Sequence, residues 1–437
     1  MNAALPAYWQ PDGECMDRED LEQLQLERLQ ATLNRAYRNV PFYRRRFDEI
    51  GFDPEGLRRI DDLRRLPFTT KADLIESYPY GMFAVPLRDV VRLHASGGTG
   101  SAAIVLAYTR NDIKTWSNLM ARMLVAGGVT KDDVVQITFD YGLLAGAFGV
   151  HYGAERMGAS VIPTSSGNTK RQLKIMQDYK TTVLVSTPGY ALHLAEAVRE
   201  AGLNQSAFSL RIALLGGEPW SEAMRKEIED RLYVTAVDNY GLSELMGPGI
   251  AGECLEKSGL HVNEDHFLVE VVDPATLEPV APGKVGELVM TSLTKEAFPL
   301  VRYRTRDLSA LIPGPCPCGR TLARIRRVEG RSDDMIVIRG VTMHPSAVET
   351  VLRDIHGSVP SYQIVLDRPH TLDLATLHLH VSESLFFDDM RRQTDFLERL
   401  RRRLASELGV TFEVKLVGRR PGEGAPAEPK VLDLRTR

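Results

Sequence analysis

From Val134 onward the chain alternates short apolar runs with helical segments, and this rhythm restricts its fold more than any other feature. VVQITF (134–139), ASVIPT (159–164), TTVLVS (181–186) and RIALLG (211–216) read as buried strands, with helices such as 170–178 and 220–231 between them. Such alternation predicts βαβ units and a parallel sheet. FLVEVV (267–272) and ELVMTSL (287–293), punctuated by turns such as Pro282-Gly283, predict a mixed or antiparallel sheet further on. Before the rhythm begins, Leu21, Leu24, Leu29 and Leu33 recur at helical spacing, which predicts an amphipathic helix over residues 17–38.

The pattern changes near Gly330. DDMIVIRG (333–340) precedes a predicted helix from Pro345 to about Ile355, followed by YQIVLDR (362–368), ATLHLHV (375–381), a basic helix near 387–407 and FEVKLV (412–417). This is a small α+β unit of about 100 residues, a common domain size. The expected division is therefore 1–332 and 333–437. Gly418 to Pro429 is rich in Gly, Pro and Glu and reads as a mobile loop.

Composition narrows the function classes. The net charge of -4 gives no general field for nucleic acid or an anionic membrane. Arg44, Arg45 and Arg46, and Arg401, Arg402 and Arg403, read as solvated helix faces. No apolar run is long enough to span a bilayer, and Met1 to Cys15 lacks the pattern of a secretion signal, so a cytoplasmic location is expected. Four cysteines in 437 residues form no disulfide framework. Self-association as a homodimer is left open.

Four stretches carry candidate chemistry, and each has a plainer reading. Ser96-Gly97-Gly98-Thr99-Gly100-Ser101 could cradle a phosphate with backbone N–H groups and hydroxyls, or be an ordinary turn. It has no P-loop lysine. Tyr240-Gly241-Leu242-Ser243-Glu244 could hold magnesium and a phosphate or acyl oxygen, or be a helix start capped by Ser243. Asp307, in Tyr303-Arg304-Thr305-Arg306-Asp307, could accept both hydroxyls of a ribose, or belong to a surface ion-pair cluster. Arg327-Val328-Glu329-Gly330-Arg331-Ser332-Asp333-Asp334 sits at the expected domain junction. Its arginines could meet a phosphate and Asp333 could serve as a hinge, or the stretch could be a charged linker.

Together with LPFTTKADL (66–74), YPYGMFAVP (78–86), YGLLAGAFGVHYG (141–153), GGEPW (216–220), NYGLSELMGPGIAGEC (239–254), GLHVNEDHF (259–267), TSLTKEAFPLVRYRTRDL (291–308) and GRSDDMIVIRG (330–340), these motifs give the chain a family likeness. It resembles the phenylacetate–CoA ligase branch of the acyl-adenylate-forming superfamily, from about Tyr43 to Asp433. The resemblance implies an α/β fold, α+β overall: a large adenylate-forming N-terminal domain with parallel and mixed sheets, and a small mobile C-terminal α+β domain. It implies two-step chemistry, in which ATP and a carboxylate give acyl-AMP and a thiol, usually coenzyme A, then displaces AMP. By resemblance Ser96, Gly98 and Thr99 belong to the phosphate loop, Gly217, Glu218 and Pro219 line the adenine site, and Tyr240 stacks nearby with Ser243 close by. Glu244 holds magnesium, Asp307 the ribose, and Arg327 lies near ribose and phosphate. Tyr141, Gly142, Ala147, Phe148, Asn239 and Gly241 form an aryl pocket, whose aromatic and small residues suit a flat ring.

The chain departs from the family at two places. The family phosphate loop reads Ser-Ser-Gly-Thr-Thr-Gly-Lys-Pro, and here Ala102 stands at the lysine. The family tail reads Gly-Lys-x-x-Arg-Val-x-Asp, and here Ala427 stands at the lysine and Lys430 at the arginine. Both lost charges serve adenylation. The expectation is therefore an aryl acyltransferase that moves an activated aryl group, of anthranilate, benzoate or phenylacetate type, from aryl-CoA or aryl-AMP to a pantetheine thiol, that of an acyl carrier protein in aromatic polyketide priming. One alternative is an ATP- and magnesium-dependent aryl-acid–CoA ligase whose charges come from Lys430, Arg419 or Arg420. Another is a non-catalytic binding protein on this scaffold. Cys316-Pro317-Cys318-Gly319 forms a knuckle, and Cys254 and His261 are soft ligands in segments that adjoin it in resembling proteins. Cys₃His suits a structural zinc. His378 and His380 share one side of a predicted strand, with no third ligand near in sequence.

Overall fold

The computed structural model describes residues 8–96, 104–333, 335–343, 345–356, 360–369, 371–381, 390–418 and 430–435. It divides into one compact unit made of most residues up to Ser332 and a second that comprises Asp333 onward together with Gly189–Glu196.

The predicted apolar runs form the middle of a nine-stranded sheet. Its strands are β1 (Val134–Ile137), β2 (Ser160–Ile162), β3 (Val183–Ser186), β4 (Ile212–Gly216), β5 (Thr235–Leu242), β6 (Gly247–Glu253), β7 (Leu260–Val262), β8 (Leu311–Ile312) and β9 (Arg324–Ile325). Their order across the sheet is β8-β9-β7-β6-β5-β4-β3-β1-β2. β2, β1, β3, β4 and β5 run parallel, and β6, β7, β9 and β8 continue the sheet antiparallel. β3 and β4 are buried along their whole length, as expected of strands covered on both faces. Helices Thr169–Asp178 and Glu222–Leu232 occupy the crossovers. Each is started by a side chain that accepts a backbone N–H, Asn168 in the first and Ser221 in the second.

The parallel strands reverse direction of growth between β1 and β3. In open α/β sheets, a crevice at such a switch, beyond the carboxyl ends of the strands, is where ligands bind.

Two smaller sheets complete the first unit. Val90–Ser96 and Ile104–Thr109 form an antiparallel hairpin. Phe267–Val272, Gly286–Ser292, Tyr303–Ser309 and Gly330–Arg331 form a four-stranded antiparallel sheet. The predicted N-terminal helix spans Arg18–Asn39 and buries Leu21, Leu29 and Leu33.

The second unit has its own core. Tyr362–Asp367, Leu374–Val381, Phe412–Gly418 and Val431–Asp433 form a four-stranded sheet, which helices Pro345–His356 and Met390–Leu408 accompany. Ile364, Leu377, Leu379, Val351, Leu400 and Leu404 are among its buried side chains. Gly418 ends a strand, and the rest of the stretch read as a mobile loop, 419–429, lies outside the described residues, as do Arg419, Arg420 and Ala427. Among the described residues no helix is long and apolar enough to cross a membrane.

Candidate active site

The residues read as site-forming cluster along the carboxyl ends of the parallel strands. Tyr141 and Gly142 follow β1, Gly217, Glu218 and Pro219 follow β4, and Asn239, Tyr240 and Gly241 lie at the end of β5. Neighbouring strands keep them in step, with Gly216 beside Asn239. Gly217 has φ +83°, a left-handed conformation that favours glycine, and a side chain there would stand 3.7 Å from the Phe139 ring and 3.9 Å from Thr187. The turns after β1, β3 and β4 thus meet at Gly217.

Side chains alternate along β5, so Asp238 and Tyr240 share one face and Asn239 the other. On the first face the Tyr240 hydroxyl donates to Asp307 Oδ2 at 2.7 Å. Arg331 donates to Asp307 Oδ1 at 2.6 Å and to the Thr305 carbonyl at 3.1 Å. Asp307 is 5% exposed, so it belongs to no surface cluster. Burial, then the Asp307 charge, pushes the Tyr240 phenol well above its ordinary range. A rigid carboxylate with a phenol and a guanidinium at its two oxygens is thereby fixed at the end of the sheet.

Arg327 lies on the same face, among acids. Its Nε is 3.4 Å from Asp238 Oδ2 and 3.7 Å from Glu253 Oε1, its Nη2 2.8 Å from Glu222, and its guanidinium 4.5 Å from the centre of the Trp220 ring. Glu253 is also gripped by both terminal contacts of Arg225 Nη2, at 2.6 and 2.7 Å. Burial, then the Glu253 charge, lifts Asp238 to about 7. A pair of acids this close shares its charge with Arg327 and Arg225.

Glu244 is buried and accepts a hydrogen bond from Ser96, at the end of the hairpin strand. Gly98, Thr99 and Ala102 lie outside the described residues. Ser243 starts a turn that leads straight from β5 into antiparallel β6, so it caps no helix. Asp333 is the first residue of the second unit by chain order after Ser332, and its carboxylate accepts the Met335 N–H at 3.3 Å.

The other candidates build an aromatic wall. Tyr141 and Phe148 meet edge to face with ring centres 5.2 Å apart. The Tyr141 hydroxyl is 3.1 Å from His151 Nδ1. Ala147 is fully buried, while Gly142 is exposed. Four further residues, to which no role was given from sequence, complete the wall. His94 is 5.5 Å from Phe148 and from Tyr108, and Tyr108 stacks on Trp116 at 5.2 Å. Trp116 donates to the Pro248 carbonyl at 2.7 Å, beside the Gly241–Pro248 pairing of β5 and β6. Lys295 sits over the Tyr108 ring, 3.1 Å from its centre.

Two buried acceptors in this region have no partner among the described residues. One is Asn239 Oδ1. The other is His94 Nε2, since Nδ1 lies 3.0 Å from the Leu143 carbonyl and must carry the proton. Burial drives the His94 pKa down to about 4, against the Leu143 carbonyl and with help from Arg92 and Lys295, so the ring is neutral near pH 7.

A third cluster stands at the opposite end of the sheet. Cys254, His261, Cys316 and Cys318 are buried, and their ligand atoms all lie within 4.8 Å of one another.

The large and small units, the parallel sheet with its switch point and the buried carboxylate held at the carboxyl end of β5 define the class. Residues 90–294 match the family model of the AMP-binding enzymes, and residues 340–431 match that of the AMP-binding enzyme C-terminal domain. A solved structure of 2-hydroxyisobutyryl-CoA ligase, in complex with 2-HIB-AMP and CoA in the thioesterification state, has a TM-score of 0.91 and 29% identity, covering 99% of this chain and 94% of that one. A phenylacetate–coenzyme A ligase of Thermus thermophilus is 46% identical over 444 residues, which are 98% of this chain and 99% of that protein. One of Escherichia coli is 46% identical over 401 residues, 91% of each. The chain belongs to the phenylacetate–coenzyme A ligase family of acyl-adenylate-forming enzymes.

Proposed function

We propose that this protein is an enzyme of aromatic acyl thioesters, and that joining an aromatic acid to coenzyme A with ATP and magnesium is the reading its relatives support. The observation that carries it is the buried Asp307, held between Tyr240 and Arg331 at the carboxyl end of β5. A buried carboxylate whose two oxygens are both held in fixed orientation suits the two hydroxyls of a ribose. Glu244, with Ser96 on one oxygen, suits a magnesium ion. Tyr141, Phe148, His94 and Trp116 suit the flat face of an aromatic ring. Asn239 Oδ1 and His94 Nε2, which have no partner among the described residues, favour a ring that bears a hydrogen-bond donor, since a buried acceptor gains most from a ligand that satisfies it. Anthranilate is one such acid.

A second reading rests on a different observation. Alanine occupies positions 102 and 427, where the family carries its phosphate-loop and tail lysines. Losing one fixed stabiliser of transition-state charge costs about 3–4 kcal/mol, or roughly 10²–10³ in rate. Thiol attack on an existing thioester needs neither lysine. On this reading the enzyme passes an aryl group from aryl-CoA to a pantetheine thiol such as that of an acyl carrier protein, without ATP. The ligases among the relatives lend this reading no support of their own. The experiment is aryl-acid-dependent pyrophosphate release, run beside aryl transfer from aryl-CoA to a holo carrier protein. Pyrophosphate release with aryl-CoA formation supports the ligase and removes the transferase. Transfer without ATP and with negligible pyrophosphate does the reverse. Neither activity with any aromatic acid or thioester overturns both.

A further inference from the structure

Cys254 follows β6, His261 lies within β7, and Cys316 and Cys318 lie in the connection between β8 and β9. The pairing of Gly252 with Asn239 runs antiparallel, so Cys254 stands beside the amino-terminal half of β5. Leu255, its neighbour, approaches Gly128 together with Ile212 at the start of β4. The cluster is therefore at the end of the sheet opposite Gly217 and Tyr240.

The donor set has the dimensions of a tetrahedral centre. Cys254 Sγ and Cys316 Sγ are 3.8 Å apart, and Cys318 Sγ and His261 Nε2 are 3.4 Å apart. With zinc bonds of about 2.3 Å to sulfur and about 2.0–2.1 Å to nitrogen, tetrahedral ligands stand roughly 3.8 Å apart for two sulfurs and roughly 3.6 Å apart for sulfur and nitrogen. A disulfide needs its sulfurs at about 2.05 Å and gives an imidazole nothing to do.

Backbone N–H groups of Glu256 and Arg320 face the sulfurs of Cys254 and Cys318. The turn is closed by the Gly319 N–H, which donates to the Cys316 carbonyl at 3.1 Å. Gly319 has φ +81°, and a side chain there would lie 2.6 Å from the Tyr8 hydroxyl. Three thiolates and a divalent ion carry net negative charge, which the buried Arg320 and Arg324 beside the turn offset.

We propose that Cys254, His261, Cys316 and Cys318 bind one zinc ion in a closed structural site. Binding displaces the protons of the three thiols, and four protein ligands leave no open position for a substrate. The ion ties β6 and β7 to the β8–β9 connection. The same knuckle holds the N-terminal turn, because Arg320 donates to the buried Glu14 at 2.8 Å and the Tyr8 hydroxyl donates to the Cys318 carbonyl at 2.7 Å. The inference is independent of which thioester reaction occupies the crevice.

The test uses the full chain, expressed with zinc in the medium and purified without chelator. Elemental analysis should give about one zinc per chain, and cobalt replacement should give the absorption of a tetrahedral thiolate site. Cys316→Ser with Cys318→Ser should cut bound metal at least tenfold and lower the melting temperature. If that variant does not fold, thiol modification of the parent should release about one equivalent of zinc to a metallochromic dye. A parent protein with no zinc, a Cys254–Cys316 disulfide in its mass spectrum, or a double variant with unchanged metal content would overturn the proposal.

Discussion

Lys295 is 1% exposed, with its ammonium 3.1 Å from the centre of the Tyr108 ring and 3.8 Å from Met246 Sδ. A cation over an aromatic face gains some attraction, but that does not replace lost hydration. Burial lowers its pKa to about 7, against the pull of Asp112. The folded pKa is below the unfolded one, so the unfolded chain binds more protons between them, and this residue's penalty shrinks as pH rises from about 7 towards the ordinary lysine value of 10.5. Lys295→Met should therefore raise the melting temperature at pH 7, by less as the pH is raised to 9. A variant less stable than the parent at pH 7, or a pH-independent gap, would show that the ammonium is held by more than this wall. Nothing in the TSLTKEAF stretch marks Lys295 as buried, because a lysine in sequence reads as solvent-facing. His94 escapes a sequence reading for a related reason: its neighbours Tyr108, Trp116 and Phe148 come from other elements.

At the scale of elements, apolar runs were legible and polar joints were not. β1, β3 and β4 fall within the runs VVQITF, TTVLVS and RIALLG, since a buried parallel strand announces itself by continuous apolar residues. β8 and β9 are two residues each, too short to carry any period. The joints that tie the N-terminal helix and helix Arg110–Ala126 to residues 263–265 are made by charges. Arg122 donates to both oxygens of Asp265 at 2.8 Å and to Asn263 at 3.2 Å, and Arg18 pairs with Glu264 at 2.7 Å. Gln25 of the same helix reaches the Glu264 carbonyl at 2.9 Å. Nothing in GLHVNEDHF marks these acids as buried, because acidic residues in sequence read as solvent-facing. Burial raises the Asp265 pKa, but His266 and Arg122 outweigh it and hold the carboxyl well below its ordinary range. His266 is itself pushed down by burial, so Arg122 supplies the charge at neutral pH. A depressed carboxyl contributes stability above its unfolded pKa and loses it as pH falls through the folded value. Asp265→Ala leaves the buried Arg122 unpaired and should cost about 3–5 kcal/mol in urea unfolding at pH 7. A loss under about 1 kcal/mol would mean that the joint rests on its other bonds, as a surface pair would.

At the scale of the whole molecule, the described residues include two large sets of buried apolar side chains, and the site candidates draw on the first. Tyr240 and Asp307 are 67 residues apart in sequence and 2.7 Å apart in space, so their neighbourhood could be stated only through family likeness. Glu244 and Ser96 are likewise 148 residues apart. The second unit needs no such long reach. Its sheet and two helices lie within 333–437, and Ile338, Val348, Leu352, Leu366, Leu377, Leu400 and Phe412 close its core without help from the large sheet. Lys430 is bonded to Glu349 at 2.7 Å, and Arg435 to Asp373 at 2.6 Å, so the last strand is pinned from within the unit. A unit of this size with its own core meets the requirements of an independent domain. Residues 333–437 produced alone should therefore unfold in one cooperative transition, with a calorimetric enthalpy of about 70 kcal/mol for roughly 100 residues. A fragment with no cooperative transition would mean that the Gly189–Glu196 segment grouped with this unit is needed to complete it.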